Sequence, residues 1–233
     1  MTKKKALLMV KVAPPIEQES QWNSWYNDRH VAGRLTIPGF LSVRRFSKIE
    51  GIPKEFAVAG EAKYLALYDL ADVKVLKGEP YRRLVEEEAA RPRDGFEGSI
   101  SKLPKFARGV YEQIYPEEGE YAVPQTRFVF VVGHEVPRNK QKEFNAWYNT
   151  EHLPALMAVP GFVTGRRFVL SETPVVERGG TLSKYLTIYD IENRDALESD
   201  AFKKAAVSPW SDWVRSWYTR KMCTLYRRIY PKE

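Results

Sequence analysis

The sequence predicts an α+β fold: two βαββαβ repeats whose antiparallel sheets pack together and close into one barrel. Three observations carry this. One phrase is written twice, as WYNDRHVAGRLTIPGF from Trp25 to Phe40 and WYNTEHLPALMAVPGF from Trp147 to Phe162. Over Trp22–Phe46 and Phe144–Phe168 the copies align without a gap and share Asn-x-Trp-Tyr-Asn, His, Pro-Gly-Phe and Arg-Arg-Phe. The likeness runs on through KYLALYDL (63–70) and KYLTIYDI (184–191), and each copy closes on nearly the same words, YEQIYP and YRRIYP. Such a repeat marks duplicated structural units. Finally, the hydrophobic period inside each copy switches between alternation and helical spacing, strand to helix, in one order.

Taken in sequence, ALLMVKV and RFVFVVGHEV alternate as strands. IEQESQWNSWYNDRH and RNKQKEFNAWYNTEH follow as helices, with Trp22, Trp25, Tyr26 and Phe144, Trp147, Tyr148 at i, i+3, i+4 on one apolar face. Ile-Pro-Gly-Phe and Val-Pro-Gly-Phe break those helices and turn the chain. FLSVRRF and FVTGRRFVL form second strands, and the KYLALYDL and KYLTIYDI segments form third strands. The next helical stretches are DVKVLKGEPYRRLVEEEAAR and NRDALESDAFKKAA, the latter continuing through SPWSDWVRSW with an interruption at Pro209. FARGVYEQIY and KMCTLYRRIY are last strands. The first repeat therefore spans 1–116, an acidic, proline-containing join spans 117–124, and the second repeat spans 125–233. One such ferredoxin-like unit carries both helices on one face of its sheet and leaves the other bare. Bare apolar sheet must be covered, so neither half can bury itself alone.

At 233 residues, 43% hydrophobic and 29% charged, the composition is that of a globular protein with a full core. No apolar run approaches the ~18 residues of a membrane span. The apolar run after MTKKK is too short for a signal peptide, and no small-residue cleavage site follows it. The single cysteine, Cys223, excludes an internal disulfide framework and points to the cytoplasm. The net charge of +7 is spread among 30 acidic residues, with EEE at 86–88 and EEGE at 117–120 breaking any basic stripe. That argues against nucleic acid as a partner, while a positive excess still attracts small anionic substrates.

Chemistry centres on the repeated segment. Of three histidines, His30 and His152 occupy the repeated helix position, and histidine is the side chain suited to moving protons near neutral pH. A capping role at the helix end competes with catalysis there. Asn27 and Asn149 stand where they could orient a ring or bind a carbonyl. In the third strands, Leu65, Leu67, Leu186 and Ile188 alternate with Tyr64, Tyr68, Tyr185 and Tyr189. The aliphatic face is expected to meet the helices, and the tyrosine face to look into the barrel and hold the ligand. His134 shares a face with Phe128, Phe130 and Val132, at a pocket rim or on the surface. Arg44-Arg45 and Arg166-Arg167 send one arginine to each side of the strand; Arg45 and Arg167 are assigned to the ligand, where a guanidinium would favour a carboxylate or phenolate. Alternation does not by itself choose between the members. No phosphate loop, zinc spacing or Gly-x-Ser-x-Gly elbow is present, so no metal and no cofactor are expected.

The helix motif of Trp-Tyr, a histidine four residues after the tyrosine and then Pro-Gly-Phe resembles the dimeric α+β barrel superfamily, its EthD-like and stress-responsive members above all. It reads Trp25, Tyr26, His30, Pro38, Gly39, Phe40 and again Trp147, Tyr148, His152, Pro160, Gly161, Phe162. The His-x-Pro piece is complete only at His152-Leu153-Pro154; the first copy has His30-Val31-Ala32. The resemblance implies one barrel from the tandem chain and, for function, a range from isomerases, cyclases and cofactor-free monooxygenases to haem enzymes and binding proteins. The expected activity is cofactor-independent acid–base chemistry of isomerase, cyclase or lyase type on a small hydrophobic, aromatic or cyclic molecule in the barrel. His152 is its preferred catalytic residue. The alternatives are a non-catalytic or haem-binding barrel and a cofactor-free monooxygenase. A tandem barrel needs no partner to close, so a homodimer would be an added contact.

Overall fold

In the computed structural model, the described residues are 5–49, 52, 58–91, 96, 100–117, 123–172 and 179–232. Eight strands close one barrel: β1 (Ala6–Val12), β2 (Phe40–Lys48), β3 (Tyr64–Leu70), β4 (Ala107–Tyr115), β5 (Phe128–Glu135), β6 (Phe162–Leu170), β7 (Tyr185–Ile191) and β8 (Thr219–Tyr230). Their order round the barrel is β1-β3-β2-β8-β5-β7-β6-β4. Each half is an antiparallel sheet of four strands, and its edge strands pair with those of the other half. β2 runs against β8 from Arg45↔Tyr230 to Lys48↔Tyr226, and β4 against β6 from Tyr111↔Leu170 to Tyr115↔Arg167. Exchanging edges in this way leaves no unpaired strand exposed. Of the join expected at 117–124, residues 118–122 lie outside the described residues; β4 ends at Tyr115 and β5 begins at Phe128.

The helices lie outside the barrel. α1 (Glu19–Trp25) runs into a π turn (Tyr26–Val31) and then α2 (Ala32–Leu35). The second half repeats the device with α4 (Gln141–Trp147), a π turn (Tyr148–His152) and α5 (Leu153–Met157). α3 (Glu79–Ala90) covers the first sheet, while α6 (Asp200–Ala205) and α7 (Pro209–Arg215) share that task in the second half. Pro209 does not interrupt a helix, as expected from sequence, but begins one: Ser208 accepts from the Ser211 N–H, and proline at the first turn lacks only a donor that would have no partner there. The Pro-Gly-Phe turns need their glycines. Gly39 and Gly161 both stand at φ +96°, and a Cβ on Gly39 would come within 2.5 Å of Val75.

The strand faces are the reverse of the sequence expectation. Leu65, Leu67, Leu186 and Ile188 point into the barrel, where they pack with Leu7, Met9, Phe46, Val129, Val131, Phe168 and Met222. Tyr64 and Tyr68 pack outward against Trp22, Trp25 and Tyr26, and Tyr185 and Tyr189 against Phe144, Trp147 and Tyr148. The physical reason is volume and polarity. An eight-stranded barrel has room for side chains and little else, so compact aliphatics fill it. Phenols gain more where helix hydroxyls and amides can meet them. The interior also holds charge: Arg44 pairs with Asp190 at 2.5 Å and Arg166 with Asp69 at 2.5 Å, each pair linking one half to the other. Alternation therefore sends Arg44 and Arg166 inward, and Arg45 and Arg167 to the helices.

Candidate functional site

Because the barrel interior is filled, space for a ligand lies outside it, between sheet and helices. In the first half a cleft of about 490 Å³ opens between α3 and the outer face of β1, β3 and β4. Leu8, Val10, Trp25, Leu76, Tyr81 and Phe106 supply apolar wall, and Tyr26, His30 and Tyr68 supply polar groups. The equivalent space in the second half measures about 30 Å³, the room of a single water. Expected as the better catalytic residue, His152 faces that small remnant; His30 faces the cleft.

The two copies build the same wall by the same contacts. Tyr26 and Tyr68 hydroxyls share a hydrogen bond at 2.5 Å, and the Tyr189 O–H donates to Tyr148 Oη at 3.1 Å. Behind them, Arg45 lies 4.1 Å over the Tyr26 ring and donates to Asn27 and, at 2.8 Å, to Asn23 Oδ1. Arg167 lies 4.2 Å over Tyr148 and donates to Asn149 and, at 2.8 Å, to Asn145 Oδ1. Asn27 and Asn149 thus orient arginines rather than imidazoles. Tyr64 and Tyr185 sit at the far end of the strand: Tyr64 donates to Glu19 Oε1 at 2.5 Å, and Tyr185 to Gln141 Oε1 at 3.3 Å. Neither these residues nor Arg45 line the cleft.

The π turn sets the histidine. An i→i+5 turn widens the helix by one residue, a feature often found at functional positions. It holds the His30 ring 4.6 Å from Tyr26 and 5.0 Å from Trp25. His30 Nδ1 is buried, has no hydrogen-bond partner among the described residues and lies 4.0 Å from Glu88 Oε1. Burial first, then the Arg34 and Arg45 charges, hold the His30 imidazole well below its ordinary pKa of 6.5, so it is neutral at pH 7. Burial pushes Tyr26 up and Tyr68 well up, so both phenols keep their protons. In the second half His152 stacks on Trp147 at 4.4 Å and 19°, and burial, followed by Arg215, brings it to about 3. His134 is not on the surface; it lines the small second-half remnant beside His152. It is 2% exposed, edge-on to Tyr218 at 4.6 Å, and depressed well below 6.5 by burial. Burial also raises the Cys223 thiol to about 12, leaving it unreactive.

Sequence reasoning missed Arg34, Glu88 and Arg108, which line the first cleft. Arg34 donates to both Glu88 oxygens, one bond measuring 2.7 Å, and ties α2 to α3. A signal was present: the ungapped repeat sets Leu156 against Arg34. Likewise Arg108 pairs with Val10 where Cys223 pairs with Val132. Positions that differ between copies, rather than those that agree, mark the half with the cleft. Among the described residues no cluster of His, Cys, Asp and Glu is arranged for a metal, and no helix is long and apolar enough to cross a membrane.

No family model matches the chain, and no curated protein matches it. Solved structures do. An anthrone oxidase-like protein is 13% identical and matches with a TM-score of 0.57 over 98% of this chain and 92% of its own. A candidate monooxygenase from Fusobacterium nucleatum is 9% identical with a TM-score of 0.60 over 98% and 94%. A mutant chlorite dismutase from Candidatus Nitrospira defluvii, in complex with cyanide, is 8% identical with a TM-score of 0.56 over 98% and 92%. At such identities the likeness is one of fold, and by that fold the chain is an α+β barrel.

Proposed function

We propose that the chain is a small-molecule enzyme of the EthD-like kind that binds an apolar cyclic or aromatic substrate in the first-half cleft and moves one proton there without a cofactor. The observation that carries this is a cleft of about 490 Å³ with apolar walls, at whose floor lie a phenol pair and a buried neutral imidazole. One hydroxyl of the Tyr26–Tyr68 pair is spent on the other, which leaves the second O–H to donate to a substrate oxygen. In a dry cleft such a donor stabilises a developing enolate or phenolate. His30 accepts the proton. Its depressed pKa means it holds that proton only in transit, so it suits a substrate whose C–H is already acidic, such as one between a carbonyl and an aromatic ring. The proton then returns to a different carbon in an isomerisation, or leaves with a departing group in an elimination.

Anthrone is a direct probe, since its ring methylene, flanked by two aryl rings that conjugate it with the ketone opposite, loses a proton to give an aromatic enolate. Wild-type protein is expected to speed deuterium uptake from D2O into anthrone, followed by NMR, and His30→Ala to slow it by about 10²–10⁴-fold while remaining folded. Uptake no faster than in buffer would overturn the reading. The names of the structural neighbours favour a second reading, cofactor-free oxygenation of the same carbanion. Oxygen consumption with anthrone, read in an electrode, separates the two. Haem ligation by His30 is a third, and it would show as a Soret band in the purified protein.

A further inference from the structure

A second groove adjoins the cleft. It measures about 450 Å³ and is lined by Ser101, Leu103, Lys105, Phe106, Arg108, Gly179 and Gly180. Ser101, Phe106 and Arg108 line both spaces, so the two meet along the Phe106–Arg108 edge of β4. Their chemistry differs. Aromatic and aliphatic side chains dominate the cleft, whereas the groove offers two cations, a hydroxyl and glycine backbone, with no carboxylate among its described lining residues. Glu61 holds Lys11 at 2.8 Å through its carboxylate and accepts from Lys105 through its backbone oxygen. The acids of the cleft are at its other side, on α3: Glu86 at the rim, and Glu88 engaged by Arg34.

Two further observations make the groove more than a basic patch. Lys105 stands at φ +54°, the single non-glycine residue with positive φ among the described residues. That conformation is unfavourable for a residue with a Cβ and persists where the surroundings hold the backbone in place. Arg108 is the other. The duplicated half has Cys223 at its position, paired with Val132 as Arg108 is with Val10, and there the cavity has shrunk to about 30 Å³. Cavity and guanidinium occur in the same copy.

We propose that the substrate is an amphipathic acid whose ring system enters the cleft while its carboxylate lies in the adjoining groove against Lys105 and Arg108. This rests on the reading of the cleft as a substrate site and adds the charge and orientation of what binds. The ring is thereby placed with one edge toward Tyr26, Tyr68 and His30 and the carboxylate directed away from Glu86. The chain's excess of positive charge, +7, assists arrival of such an anion.

A matched pair of ligands tests it: 2-naphthoate and its methyl ester, titrated against the full chain by quenching of tryptophan fluorescence, since Trp25 lines the cleft. The acid is expected to bind about tenfold more tightly than the ester. Raising the salt should erode that preference, because the groove is open to solvent. Arg108→Gln should remove most of it while ester affinity stays within about twofold. Lys105→Gln serves the same purpose should Arg108→Gln fail to fold, since Lys105 is exposed. Equal binding of acid and ester by the wild type would overturn this inference and leave the cleft reading standing. Binding of neither would overturn both. A preference unchanged in both variants would place the carboxylate elsewhere and sink the proposal.

Discussion

His30 and His152 hold equivalent positions in equivalent π turns, yet His152 lies flat on Trp147 over a space the size of a water, while His30 tilts between Trp25 and Tyr26 and faces the cleft. His30 is buried and His152 partly buried, and both are kept neutral, which ties stability to pH. An unfolded histidine takes up a proton below about pH 6.5, whereas folded His152 resists until about 3. Its contribution is therefore present above pH 6.5 and is lost as pH falls toward 3. At pH 5 the loss amounts to about 2 kcal/mol. Urea midpoints from pH 8 to 5 should fall for the wild type and fall less steeply for His152→Gln; an identical slope would show that the imidazole is not protected as described. That a histidine recurs at this position was legible in the sequence. Its burial was not, because the π turn that swings the ring inward inserts one residue's worth of rotation and leaves no periodic trace in a helix of this length.

At the scale of elements, the first half differs from the second by a few substitutions on otherwise matching strands and helices. Leu8 pairs with Tyr68 on β1 where Phe130 pairs with Tyr189 on β5. Leu8→Phe should therefore reproduce the filled state, lowering affinity for the naphthyl ester by tenfold or more while the melting temperature holds or rises, as cavity filling does. A variant that bound as tightly as the wild type would put the ligand outside this cleft. α3 is fastened to α2 through Arg34 and Glu88, so Arg34→Leu, the residue of the second copy, leaves a part-buried carboxylate without its partner. The expected cost is about 1–3 kcal/mol, visible as faster amide exchange along α3. Protection unchanged in α3 would mean the pair holds nothing. Strand and helix identities were readable from period, and most ends agree within a residue or two. The face of each strand was not, because alternation separates two sets of side chains without saying which set meets helices and which meets the opposite sheet.

The whole molecule is held by charges that cross between halves. Asp69 of the first half accepts from Arg166 of the second, Arg44 of the first pairs with Asp190 of the second, and all four side chains are 2% exposed or less. Burial alone would raise the Asp69 carboxyl, but Arg166 and Arg44 outweigh it and hold the pKa below 3.8. Arg166 also lies 3.7 Å from Asp190, so removing the Asp69 carboxylate leaves two buried arginines sharing one carboxylate, at a cost of up to about 3–5 kcal/mol. Asp69→Asn should therefore lower stability by that order in chemical denaturation, with both halves melting together. A loss under 1 kcal/mol, or separate melting of the halves, would show that the pair does not couple them.

What the sequence by itself determined is the duplication, the order of elements in each copy and the need of each sheet for the other, since those follow from repeated words, hydrophobic period and the cost of bare apolar surface. Only the tertiary structure decided that the barrel is full and that the usable space lies outside it, in one half. That outcome depends on side-chain volumes summed across eight strands and on differences such as Leu8 for Phe130 and Arg108 for Cys223, and these acquire meaning only once the register sets them beside their neighbours.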